Sequence, residues 1–238
     1  MSCKFIDFIV PAVYNIRKKK RGMTLKRYKT LAESVRFRRE HGTWKPIAHD
    51  ECLSFGGEGR SAVVYRIEGT DKALKVFYPD KVHIAKEEAD IYKLLSGISA
   101  FPALHESGGT YIVIDWIDGK TLFQCLEEGI DIPVELIQEA DKAILAARKR
   151  GLNPSDVHLR NIMVADSGQI VLIDVARFRQ TKDCMNWEDL KTAYTHFYTK
   201  PFFPKRIPKR LLNIIGVMYK KRLLPIYWRK AKGIIQHP

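Results

Sequence analysis

The spacing of apolar positions changes several times along this 238-residue chain, and each change predicts an element. Ala73-Leu-Lys75-Val-Phe77 reads as a strand bearing one lysine, and Tyr111-Ile-Val-Ile-Asp-Trp-Ile-Asp-Gly119 as a buried strand that breaks at its glycine. Residues 83–95 carry Ile84, Ile91, Leu94 and Leu95 at helical spacing. Residues 121–128 predict a helix stopped by Gly129. Residues 133–150 predict a longer one, closed by Gly151, whose buried side is Leu136, Ile137, Ala140, Ile144, Leu145 and Ala147. Residues 162–165, a turn at Asp166-Ser-Gly168 and residues 169–173 predict a β-hairpin. A further helix is expected at 189–194. After Pro201, Pro204 and Pro208, an amphipathic helix carries Leu211, Ile214, Ile215 and Met218 on one stripe.

The N-terminal pattern is less regular. Residues 24–39 predict a basic helix carrying Leu25, Tyr28, Leu31, Val35 and Phe37, with Gly42 and Pro46 marking its end and a linker. Before it, Phe5, Ile6, Phe8, Ile9 and Val13 fit one apolar face, followed by the basic run 17–21. Two readings fit this segment: an interfacial membrane anchor, or a short helix packed on the main domain. The apolar-before-basic order and the interruptions at Asp7 and Pro11 do not match a signal peptide. No run approaches the roughly 20 apolar residues that span a bilayer, and no internal repeat is visible.

Apolar content of 45% and charged content of 29% describe a soluble globular protein. The charge is unevenly spread. Residues 1–48 hold 13 Lys+Arg against 3 Asp+Glu, and residues 200–238 hold 11 against none. The middle of the chain, 49–199, is net acidic with 17 against 24. Basic ends of this kind favour an anionic membrane surface, nucleic acid or acidic protein, or they are solvated flanks. Four cysteines, at 3, 52, 125 and 184, lie far apart without a C-x-x-C pair. They fit reduced thiols in a cytoplasmic protein, with peripheral contact at the inner membrane surface left open by the basic ends.

The candidate chemistry centres on Asp156-Val-His158-Leu-Arg-Asn161 and on Asp174, which follows the run Ile170-Val-Leu-Ile. The intervening hairpin brings its two ends together, so Asn161 entering and Asp174 leaving face one point. Oxygen-bearing side chains converging there suit a hard cation such as Mg²⁺ carrying phosphate. Asp156 stands near enough to take a proton from a hydroxyl.

This spacing resembles the catalytic and metal-binding loops of the protein-kinase-like superfamily. Upstream, Phe55-Gly-Gly57-Glu-Gly59-Arg-Ser-Ala-Val-Val64 resembles the family's glycine-rich loop, with Ala62 at the third glycine. The resemblance places Val64 over the adenine and puts Ala73-Leu-Lys75 at the lysine that grips the α/β-phosphates. It pairs that lysine with Glu88 of Glu88-x-x-Ile-Tyr, the adjacent Glu87 remaining open. It makes Ile114 the gatekeeper, with backbone groups of Asp115 and Ile117 binding adenine. It casts Asp156 as base, Asn161 and Asp174 as Mg²⁺ ligands, and Asp189 either as the residue that holds the catalytic loop or as a first-turn residue of a surface helix. It implies an α+β, two-lobed fold with a small antiparallel-sheet N-lobe and an abbreviated helical C-lobe. The expected division is 1–48 extension, 49–115 N-lobe, 116–199 C-lobe core and 200–238 tail.

Three departures shape the functional expectation. Pro154-Ser155 replaces the usual His-Arg, His158 stands at the Ser/Thr-kinase lysine, and Asp174-Val-Ala replaces D-F-G. D-x-H-x-x-N is closer to antibiotic- and sugar-phosphorylating members and to RIO-like kinases. His158 either stabilises the transferred phosphoryl group or holds the loop. The resemblance implies an ATP- and Mg²⁺-dependent phosphotransferase to a hydroxyl. A minimal Ser/Thr protein kinase comes first and a small-molecule, sugar or lipid kinase second. A nucleotide-binding pseudokinase or peripheral membrane adaptor is the non-enzyme alternative.

Overall fold

A sheet covered on both faces organises the upper half of the molecule. The structure, a computed structural model, describes residues 27–182 and 184–223. Helix α1 (Tyr28–Ser34) leads into a hairpin of β1 (Arg36–Glu40) and β2 (Thr43–Ala48). Strands β3 (Leu53–Glu58), β4 (Ala62–Ile67) and β5 (Lys72–Phe77) follow, then helix α2 (Val82–Leu95), then β6 (Leu104–Ser107) and β7 (Tyr111–Asp115). The five later strands form one antiparallel sheet in the order β3-β4-β5-β7-β6.

Alternation across the pleat sends successive side chains to opposite faces. Val63, Tyr65, Ile67, Leu74, Val76 and Val113 meet Leu31 and Ala32 of α1, and Val35 just after it, on the outer face. Ala62, Ala73, Phe77, Ile112 and Ile114 face inward and join α2 and the lower half in a larger core.

The N-terminal expectation needs correction. The helix expected over 24–39 ends at Ser34 among the described residues, and the chain turns into a hairpin at Arg36. His41 (φ 47°) and Gly42 (φ 82°) connect the paired residues Glu40 and Thr43. Two positive φ values in a two-residue loop match the twist of the flanking strands, so Gly42 is a hairpin tip and not a helix end. Pro46 lies inside β2, opposite Phe37 in a two-stranded sheet where its missing N–H is tolerated. Leu25, the 5–13 apolar face, the basic run 17–21 and the sequence from 224 on lie outside the described residues.

The lower half contains β8 (Gly119–Thr121), α3 (Leu122–Glu128), α4 (Val134–Lys149), β9 (Ile162–Ala165), β10 (Ile170–Leu172), α5 (Asn186–Ala193) and α6 (Lys209–Lys220). The end of α5 widens into one π turn over Tyr194–Tyr198. Thr121 begins α3 through a reciprocal capping box with Gln124, and Gly129 ends it in the left-handed conformation. A side chain at Gly119 would place its Cβ 2.2 Å from the Val164 carbonyl oxygen, so β8 can approach β9 only through glycine. Helix α4 buries Leu136, Ile137, Ala140, Ile144 and Ala147 as its periodicity predicts. Leu145 does not join them and is 51% exposed, because it lies about 100° around the helix from Ile144.

The result is the expected α+β architecture, a small antiparallel sheet above an abbreviated helical half. No helix among the described residues is long and apolar enough to cross a membrane.

Candidate active site

Strand β5 points Lys75 inward between Ala73 and Phe77, opposite Val64 on β4 and Ile112 on β7. The ammonium is buried there and needs partners, because an unpaired buried charge is costly. Helix α2 supplies one. Ala85, Glu88, Ala89 and Tyr92 form its buried face at spacings of three and four, while Glu87 faces solvent. Lys75 Nζ donates to both Glu88 carboxylate oxygens, at 2.7 and 2.8 Å, and to Asp174 Oδ1 at 3.2 Å. Its three donors are thereby all used. Lys75 is 7% exposed and Glu88 0%. Burial alone would depress the ammonium, but the two carboxylates outweigh it and push its pKa up to about 12. The same ammonium holds the Asp174 carboxyl below the usual carboxylate range.

Asp174 reaches this point by way of the hairpin. Strands β9 and β10 pair Ile162 with Leu172, and the Ile173 N–H then donates to the Asn161 carbonyl at 2.8 Å, closing the hairpin immediately before Asp174. Asn161 Nδ2 in turn donates to the Asp156 carbonyl at 3.1 Å, which ties the loop to the hairpin. Both Asp156 (φ 62°) and Asp174 (φ 61°) occupy the left-handed region. Non-glycine residues seldom sit there outside constrained sites.

The Asp156 carboxylate has basic neighbours. Arg60, on the glycine-rich turn between β3 and β4, donates to its Oδ2 at 3.0 Å; Arg177 Nε lies 3.5 Å from the same oxygen. His158 Nε2 stands 3.9 Å from Oδ1, and burial lowers its pKa against the pull of Asp156, favouring the neutral ring. The Asp156 N–H donates to Cys184 Sγ at 3.4 Å. Neither Arg60 nor Arg177 was singled out from the sequence. Arg60 is 96 residues from Asp156 and belongs to a turn read for its glycines. The apolar context that made Lys75 conspicuous has no counterpart around either arginine.

The residues that the resemblance assigns to the nucleotide are less closely grouped. Val64, Ala73 and Ile114 line the inward face of the sheet beside Lys75. Asp115 ends β7 with its N–H donated to Ala103, and its carboxylate accepts from Ala103 N–H and contacts His105, so the N–H is already engaged. Ile117 lies in the connection to β8. The Trp116 ring packs against Gly56, where a Cβ would approach it to 2.7 Å. A depression of about 730 Å³ is lined by Trp116, Arg66 and Asp118, and Lys75 is not part of its lining. The space between Asp156, Asn161 and Asp174 is a far narrower crevice. Asp189 is buried in the first turn of α5, where its carboxylate accepts from the Tyr219 hydroxyl at 3.0 Å, so it is not a surface helix residue.

Two features fit a metal-bound triphosphate. A Cβ at Gly57 would meet nothing within 4 Å and one at Gly59 only the Ala62 carbonyl at 3.6 Å, so packing does not require glycine at either place. Bare backbone there leaves room for a phosphate chain. Asn161, with its amide nitrogen engaged, and Asp174, with one oxygen on Lys75, each retain an oxygen for a hard cation. No group of three His, Cys, Asp or Glu among the described residues could hold a metal alone. Magnesium ordinarily completes its shell with substrate phosphates and water, which suits a two-ligand site.

The fold, with a buried lysine and helix glutamate meeting the aspartate that follows the hairpin, is that of the protein-kinase-like superfamily, and the chain belongs to it. It is 43% identical over 199 residues to a Bacillus subtilis (strain 168) protein named "Putative serine/threonine-protein kinase YrzF". The match covers 83% of this chain and 93% of that relative. No protein-family model matches the chain.

Proposed function

We propose that this protein is an ATP-dependent phosphotransferase that moves the γ-phosphoryl group to an alcohol, foremost a Ser or Thr side chain of a protein. The observation that carries this is the buried Lys75–Glu88 pair with Asp174 on the same ammonium. Such an arrangement positions phosphates and leaves one lysine donor to be transferred from Asp174 to the nucleotide. Lys75 would hold the α/β-phosphates, while Asn161 and Asp174 would hold Mg²⁺, which supplies charge neutralisation on the phosphate oxygens. Asp156 would take the hydroxyl proton as the alcohol oxygen bonds to the γ-phosphorus and the bond to the β-phosphate oxygen breaks, releasing ADP. For this, Arg60 must leave Asp156. The γ-phosphate is the competing anion that would draw it away.

The relative's name supports a protein acceptor. His158 at the Ser/Thr-kinase lysine position, beside Asp156, favours a small-molecule hydroxyl as the second reading.

The test compares Mg-ATP turnover of the wild type with Asp156→Asn. Asparagine keeps the size of aspartate and tolerates the left-handed backbone. Equal turnover would remove the enzymatic reading and leave a nucleotide-binding pseudokinase. Incubation with labelled ATP and a cell lysate then separates acceptors, since label enters either protein or small molecules.

A further inference from the structure

Among the described residues, helix α6 is docked along one edge. Leu212 is buried, and the Tyr219 hydroxyl, which donates to the Asp189 carboxylate, lies 3.0 Å from both that carboxylate and the Asn186 side-chain amide. At 3.6 residues per turn these two side chains share a direction, and Leu211, Ile214, Ile215 and Met218 form the adjacent stripe. That stripe is largely uncovered, with Leu211 47%, Ile214 55% and Ile215 36% exposed. Phe202, before the helix, is 80% exposed. An aliphatic stripe of this kind marks a contact surface.

Charge identifies the partner. Lys209, Arg210, Lys220, Lys221 and Arg222 are exposed on or next to α6. Residues 200–238 contain 11 Lys+Arg and no acid, and beyond the described residues the sequence continues with Tyr227, Trp228, Arg229 and Lys230. Aromatic residues beside basic ones are typical of the bilayer interface.

We propose that α6 lays this stripe on an anionic lipid bilayer, with the surrounding lysines and arginines at the headgroups. Nucleic acid would use the charges but not the Leu and Ile stripe, since its surfaces are bound by cations and aromatic stacking. A second copy meeting this one through α6 would bring two acid-free basic segments together. The helix also touches the catalytic loop. Arg160, next to Asn161, donates to Asn213 Oδ1 at 2.9 Å and lies over the Phe123 ring at 3.4 Å. Docking would therefore hold the cleft close to the bilayer and favour acceptors there. That consequence rests on the phosphotransferase reading; lipid binding does not.

The test is sedimentation of the full chain with vesicles of phosphatidylcholine alone and of phosphatidylcholine and phosphatidylglycerol in equal parts. Binding is expected only to the mixed vesicles, weakening about tenfold or more at high salt. L211E/I214E should reduce binding by about tenfold or more with an unchanged melting temperature, because both side chains are exposed. R210Q/K220Q/K221Q should also weaken binding, and it decides the matter if the stripe variant melts early. Equal binding to both vesicle types, binding to neither, or unchanged binding of both variants would overturn the proposal. So would a wild-type dimer that L211E/I214E converts to monomer, or tighter binding to duplex DNA than to the mixed vesicles. If vesicles bind while Asp156→Asn turns over ATP like the wild type, the lipid surface stands and the enzymatic reading falls.

Discussion

The two walls of the cleft hold their charges in different ways. On one, Lys75, Glu88 and Asp174 meet at 2.7 to 3.2 Å, with the lysine and glutamate shut away from water. On the other, Asp156 sits among Arg60, Arg177 and His158, whose side chains are 75%, 47% and 41% exposed. The Lys75–Glu88 pair of the first wall is fixed by burial, because neither member can leave without stranding a charge, whereas the Asp174 side chain is half-exposed and can give up its contact. The second is held by screened contacts that can be exchanged for a ligand. The difference extends to pH. The Lys75 pKa is raised from 10.5 to about 12, so its contribution is complete below 10.5 and lost as pH climbs through about 12. The Asp174 pKa is lowered from 3.8, so its contribution is complete above 3.8 and lost as pH falls through that lower value. Between those limits neither Lys75 nor Asp174 titrates, while burial raises the Glu88 carboxyl above its ordinary 4.5 against the pull of Lys75.

The sharpest break in this comparison is Glu88→Gln. It leaves the buried ammonium with an amide in place of its carboxylate and should destabilise the protein by about 3–5 kcal/mol in urea unfolding. Turnover should fall by about a hundredfold or more, since Lys75 would no longer be held for phosphate. A variant with wild-type stability would show that the pair is not the structural anchor its burial implies. Asp156→Asn is the complementary change. Turnover should drop by about 10²–10⁴-fold, while the urea midpoint stays close to wild type because the lost contacts are exposed. Loss of stability comparable to Glu88→Gln would erase the distinction between the walls.

The same distinction explains which parts of the site were legible in the sequence. Lys75 stood out because a lysine in an apolar strand has to be explained, and Glu88 because Glu88-x-x-Ile-Tyr resembles the family's helix motif, with the adjacent Glu87 left open until the structure turned it to solvent. Asn161 and Asp174 were brought together by a hairpin whose turn, Asp166-Ser-Gly168, is written in local residues. Arg60 and Arg177 carry no such mark. Their positions depend on how a turn and a loop from distant parts of the chain come to rest, and a long exposed side chain leaves no periodicity. The first hairpin was missed for another reason. Leu31 and Val35 share one helical face, and that spacing obscured the His41-Gly42 turn, whose two positive φ values reverse the chain. The uncovered stripe of α6 was legible as a pattern, but a pattern does not say which of its residues the lower half buries.

A smaller effect should come from Arg60→Ala, which acts on the exchangeable wall alone. Removing the guanidinium frees Asp156 in the unliganded protein but takes a cation away from the glycine-rich turn. The apparent KM for Mg-ATP should therefore change by about fivefold at most, and the difference from wild type should shrink as salt is raised. A hundredfold change that persists at high salt would place Arg60 among the groups that bind phosphate directly in a desolvated site.

The smallest effect belongs to His158, the group on this wall whose ordinary titration lies nearest neutrality. Burial lowers its pKa from 6.5, with Arg60 acting in the same direction and Asp156 and Asp174 opposing it. The folded protein therefore binds this proton less readily than the unfolded chain. Stability associated with the neutral ring is present above 6.5 and is lost as pH falls from there through the lower folded value. His158→Asn removes the titration while keeping a polar side chain of similar reach. Urea midpoints of the two proteins should run parallel from pH 8 to about 6.5 and diverge below it, the wild type falling faster. If the wild type instead gains on the variant in acid, the Asp156 carboxylate controls the ring more strongly than burial does. The exposed wall would then hold a proton-dependent ion pair, making it a fixed element like the wall opposite.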